Sequence, residues 1–146
     1  MTTKRVVIAA LLAATVCVPA YAGEVWMSSG GVSYHTDRSK GYNERNPGVG
    51  LEYRWDTTHS LGAGAYLNSN RNISTLAVYT WTPLGNDVVR FGLLGGLAAG
   101  YASPVTPLIL PAMTVQLGSV GATVVAWPSI RGGSGGVGVQ FRVKVW

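Results

Sequence analysis

The sequence predicts an all-β protein, an eight-stranded antiparallel transmembrane β-barrel behind a secretion leader. Three features point there: an amino-terminal stretch built like a signal peptide, strand-length segments in which apolar side chains alternate with small or polar ones, and turn-forming residues gathered between those segments.

The chain has 146 residues, room for one domain. Lys4 and Arg5 form a charged start, Val6 to Val18 an apolar run, and Ala20-Tyr21-Ala22 a small-residue cleavage site. Residues 1–22 are therefore expected to be a signal peptide and residues 23–146 the barrel domain. Cys17, the only cysteine, lies in that leader behind Val16, which is too bulky for a good lipidation box. The mature part thus has no thiol for a disulfide or a metal, and no cofactor is expected. Without Lys4 and Arg5, nine Lys or Arg face six Asp or Glu. That balance is too small and too scattered for a nucleic-acid patch, yet it suits contact with anionic lipid. The most apolar later stretch, Gly92 to Met113, carries four glycines and three prolines, which argues against a membrane-spanning helix.

Taken in order, the first strand covers roughly 25–35 and gives way to DRSKGYNERNP. The second, Gly48 to Trp55, has Val49, Leu51, Tyr53 and Trp55 on one face and Gly48, Gly50, Glu52 and Arg54 on the other. DTTHS leads to a third strand at 61–69, NSNRN to a fourth at 73–82, and PLGND to a fifth at 88–102. ASPVTP precedes a sixth at 108–118, and a seventh follows at 119–129. After RGGSGG comes the eighth, in which Val137, Val139, Phe141, Val143 and Val145 alternate with Gly138, Gln140, Arg142 and Lys144. Segments of about ten residues suit tilted strands that cross a bilayer.

Composition leaves open a water-soluble barrel, apolar inside and polar outside. The leader, the missing thiol and the Tyr and Trp near strand ends favour the membrane, where aromatic girdles mark the interfaces. The expected location is the bacterial outer membrane. The expected partners are phospholipid and lipopolysaccharide, with the barrel assembly machinery during biogenesis; nucleic acid is not among them, and the chain is expected to act as a monomer. It ends on Trp146, the aromatic terminus that such barrels present to that machinery, but in the parity of Arg142 and Lys144. A bulge or a frayed end is needed to turn it outward.

With the amino terminus on the periplasmic side, each residue acquires a height. Glu52, Arg54, Arg90, Arg142 and Lys144 all fall in the inner half of the lumen and read as a polar plug. The outer half receives Gly48, Gly50, Gly64, Tyr66, Leu76, Gly96, Ala98 and Gly100. Side chains this small leave either a slot for a hydrocarbon, at roughly 0.8 kcal/mol per buried CH₂, or simply closely coiled strands around a filled lumen. Pro107 and Pro111 share parity, so their missing N–H groups weaken one seam. That seam is either a strand start or a side passage for a lipid tail.

Candidate chemical residues gather at the outer end: His35 closing the first strand, Asn43 and Glu44 in the first loop, Asn68 and Ser69 at the next turn. A hydroxyl needs a base within reach, and His is the usual one near neutral pH. His35 and Ser69 are expected on exposed loops, while His59 lies on the opposite rim.

The run YNERNPGVGLEYRWD, Tyr42 to Asp56, resembles a segment of the lipid A palmitoyltransferase family, PagP. The resemblance continues through the Asn68-Ser69 turn, YTWTPL from Tyr79 to Leu84, and PLILPAMTVQLGSVG from Pro107 to Gly121. It implies an outer-membrane barrel that moves a palmitoyl chain from phospholipid to lipid A, holds that chain in an internal slot and admits lipid through proline-weakened seams. On that resemblance His35 is the base once the first loop is shortened; without the gap Ser29 takes its place. Ser69 is the nucleophile or hydrogen-bonding partner, and Asn68, where the family has Asp, is the orienting group. Tyr66, Leu76, Val78, Thr80, Pro107 and Pro111 are the implied substrate-binding residues. Thr80 replaces the glycine of the slot floor and implies a chain shorter than palmitate. The amphipathic helix before the family's barrel has no counterpart if cleavage precedes Gly23. The alternative to acyl transfer is a non-enzymatic barrel of the same fold that binds lipid or remodels the surface.

Overall fold

The structure, a computed structural model, describes residues 23–130 and 132–146, so the expected signal peptide lies outside the described residues. Eight strands, β1 (Glu24–His35), β2 (Arg45–Arg54), β3 (His59–Leu67), β4 (Ile73–Gly85), β5 (Val89–Ala99), β6 (Thr106–Leu117), β7 (Val120–Trp127) and β8 (Gly136–Lys144), form one closed antiparallel barrel. Every strand pairs with its sequence neighbour, and β1 closes on β8. Tight turns at 55–58, 86–88 and 118–119 and both described ends make the inner rim. Longer connections at 36–44, 68–72, 100–105 and 128–135 make the outer rim.

The alternation of the strands decides which way the barrel faces. Val49, Leu51, Leu61, Leu97, Ile109, Phe141 and Val143 are exposed, whereas Arg54, Ser60, Thr80, Thr114, Thr123 and Arg142 are buried. An apolar outside around a polar inside is the reverse of a water-soluble barrel, whose exterior would not carry an apolar belt on every strand.

Besides a register shift between Trp81 and Leu84 of β4, two bulges at the barrel's closing seam adjust this pattern. In β1 the pairing with β2 and β8 slips after Ser28, where Gly30 adopts φ +76°, a left-handed conformation that suits glycine. Trp26 and Ser28 face inward before the slip; Ser33 and His35 do so after it. At the carboxyl end the N–H groups of Val145 and Trp146 both donate to the Val25 carbonyl, at 2.8 and 3.2 Å. Two residues thus oppose one, and Trp146 emerges exposed despite its parity.

The inner half of the lumen is a hydrogen-bonded plug. Arg142 donates through Nη1 to both Glu52 oxygens, at 2.7 and 2.9 Å, and its guanidinium lies 5.0 Å from the centre of a Trp26 ring. Trp26 Nε1 donates to Glu24 at 2.9 Å, and Glu24 accepts from Lys144 at 2.7 Å. Arg54 donates to Gln116 and, at 3.0 Å, to the Thr57 carbonyl.

Candidate functional site

The β1 bulge carries His35 to the inside of the outer rim. Its side chain is not on an exposed loop, as its place in the sequence suggests, but only 5% exposed. The ring packs against Tyr42, with centroids 4.6 Å apart, and edge-on against Trp127 at 5.5 Å. In register, Gly136 of β8 stands opposite both His35 and Trp127, and its lack of a side chain leaves room for that contact.

Loop 36–44 folds back over the ring. The Glu44 carboxylate accepts from the His35 backbone N–H at 3.1 Å, pairs with Arg38, and lies 4.0 Å from His35 Nδ1. The His35 N–H and the Arg38 guanidinium hold the Glu44 carboxyl below the usual carboxylate range. His35 Nδ1 is enclosed and makes no hydrogen bond among the described residues. The carboxylate beside the histidine therefore comes from the YNER run itself, where Tyr42 supplies the ring contact and Glu44 the charge.

Asn68 is fully buried and fully occupied. Its Nδ2 donates to Ser74 Oγ at 2.8 Å and to the Gly100 carbonyl at 2.9 Å, while Oδ1 accepts from the N–H groups of Asn70 and Asn72 at 2.8 and 3.0 Å. Two donors and two acceptor sites are all an amide has, so Asn68 organises its own turn and has nothing left to orient His35. Ser69 is half-buried, and its hydroxyl makes no hydrogen bond among the described residues. Its carbonyl accepts from Asn43 N–H at 2.9 Å, which ties the turn to loop 36–44. His35 and Ser69 thus stand on joined segments without a hydrogen bond between them. His59 is at the other end, with Nδ1 2.5 Å from the Tyr79 hydroxyl in an external stack with Trp55.

Tyr66, Leu76, Val78 and Thr80 line one cavity, with Thr80 facing inward as its parity requires. That cavity measures about 40 Å³, room for no more than a few waters. Around these four residues the lumen is filled closely enough to leave only that space. The Tyr66 and Tyr101 hydroxyls, 2.5 Å apart, bridge strand and loop above it.

Pro107 and Pro111 are exposed on β6. The ladder from β6 to β5 runs through both, from Thr106 to Val115, whereas the ladder to β7 ends at Ala112 opposite Val125. The two missing donors leave the outer half of the β6–β7 seam unpaired. Trp127 stands on the β7 lip of this gap, so the ring against which His35 packs is also its border.

Comparison with protein-family profiles and with curated proteins finds no match. Among solved structures the chain is similar to the de novo designed TMB2.3, determined by solution NMR, over 85% of this chain and 96% of that one, with a TM-score of 0.63 and 10% sequence identity. At that identity the likeness concerns the fold alone. The class to which fold and comparison lead is the closed eight-stranded antiparallel β-barrel.

Proposed function

We propose that this chain is an outer-membrane barrel that engages membrane lipid at its outer rim, taking an acyl chain sideways at the β6–β7 gap. The observation that carries the reading is the unpaired seam beside Pro107 and Pro111 in a barrel whose exterior is apolar. A gap in a hydrocarbon-facing wall exposes backbone C=O groups that no water can satisfy there, so such a gap belongs near the headgroups, where a lipid can slide along it. The filled lumen favours binding over conduction.

Acyl transfer from phospholipid to lipid A is a second reading, favoured by the YNER and PLILP runs and by a buried His35 with Glu44 beside it at the edge of the gap. Its weak point is the nucleophile, because no hydroxyl is hydrogen-bonded to His35. Catalytic contacts are often long without substrate, so the geometry leaves Ser69 a candidate.

Cells with and without the chain separate the two. The protein is expected in the outer-membrane fraction, and lipid A gains the mass of one acyl chain only if transfer occurs. A gain that disappears in His35→Gln and Ser69→Ala supports transfer. An unchanged lipid A with phospholipid co-purifying on the barrel supports binding alone. A freely soluble periplasmic product would overturn both.

A further inference from the structure

The inner mouth carries a second candidate site, independent of the outer rim. Four cationic side chains, Arg54, Arg90, Arg142 and Lys144, share the lower lumen with two carboxylates, Glu24 and Glu52. Arg142 and Lys144 are matched by those two acids, and Arg54 is held by Gln116 and Thr57. Arg90 is different. Its side chain is 15% exposed, donates no hydrogen bond to a described residue, and has Asp87 as its nearest acid at 3.7 Å.

Arg90 and Arg54 line a cavity of about 270 Å³ that opens at this rim. Three carboxylates also touch it. Glu24 is committed to Lys144 and Trp26, Asp56 Oδ1 already accepts from the N–H groups of Thr58 and His59 and from the Thr58 hydroxyl, and Asp87 is 98% in solvent. A water-screened carboxylate does little for a half-buried guanidinium beside it. The planar fork of Arg90 therefore keeps its donors for an acceptor-rich anion, and Arg54 adds charge from β2 across the mouth.

We propose that the inner mouth of the barrel binds a phosphate group, with Arg90 as its principal donor. The phosphate is either free or the headgroup of a lipid in the adjoining leaflet, two sources that one titration separates. Folded protein in octyl glucoside is titrated with inorganic phosphate, and separately with dihexanoyl-phosphatidylglycerol, at ionic strength held constant with chloride. The arginine Nε–Hε resonances are followed by NMR. The Arg90 signal is expected to shift saturably with at least one probe: inorganic phosphate marks the free anion, and response to the lipid alone marks the headgroup. Arg90→Gln is expected to weaken binding by about tenfold or more, Arg90→Lys by less because it keeps the charge but not the fork. Arg71→Gln at the outer rim should leave binding unchanged. Asp87→Asn, on a carboxylate that solvent screens, should leave it nearly unchanged. Heat-resistant migration on a gel confirms that each variant is folded. No saturable shift with either probe, or unaltered affinity in Arg90→Gln, would overturn the proposal.

Discussion

Glu52→Ala is expected to destabilise the barrel by about 3–5 kcal/mol, the range for leaving a buried charge without its partner. Arg142 has 3% of its surface exposed, and both of its hydrogen bonds go to Glu52. Its Nε and Nη2 make none even now, so loss of Glu52 strips the guanidinium of every acceptor. The measurement is urea unfolding in detergent followed by tryptophan fluorescence, with Trp26 under Arg142 as a local reporter. Adding Arg142→Met should restore much of the loss, because removing both charges also removes the desolvation cost. Asp87→Asn, on a solvated carboxylate, should change stability by no more than about 0.5 kcal/mol. Equal effects for Glu52 and Asp87 would contradict the plug as described.

Gly31→Ala is expected to be more damaging than ordinary overpacking, which costs about 1–3 kcal/mol. A Cβ on Gly31 would stand 1.7 Å from the Val139 carbonyl oxygen and 2.9 Å from the Gln140 Cα. These are backbone atoms of β8, so relief requires the β1–β8 seam to move rather than a side chain to turn. The expected result is loss of the heat-resistant gel form, or a sharp fall in its melting temperature. Ser29→Ala, the exposed neighbour, serves as the control. A Gly31→Ala barrel of wild-type stability would show that β1 crosses β8 differently.

The eight strands were legible because period-two alternation reports directly on a wall with two unlike faces. Leu51 and Glu52 announce their sides whatever the neighbouring strands do. The bulges were not legible in that way. Gly30-Gly31 permits an irregularity without requiring one, and the extra residue inserted there decides whether His35 faces in or out. Trp146 was the favourable case, since its conflict of parity made the terminal bulge foreseeable. Asn68 shows the opposite limit: an amide suits a turn as well as a catalytic network, and only the positions of Asn70, Asn72, Ser74 and Gly100 decide between them. Glu44 belongs with His35 because loop 36–44 folds back across nine positions, a closure that local patterning does not encode. The paired prolines disclosed a weak seam, whereas its assignment to β7 required the register.

The most direct test of lipid engagement at the gap uses single-cysteine variants, which are unambiguous because residues 23–146 contain no cysteine. Nitroxide labels at Ile109, Leu110 and Thr123 in bilayers are compared for collision with oxygen, which concentrates in hydrocarbon, and with a water-soluble relaxing agent. Ile109, exposed on β6, should report hydrocarbon; Thr123, buried on the fully paired part of β7, should be shielded from both. Leu110, on the unpaired part of β6, should report hydrocarbon although its parity points inward. Leu110 as shielded as Thr123 would contradict lateral lipid access, and Ile109 open to the aqueous agent would contradict the membrane barrel itself.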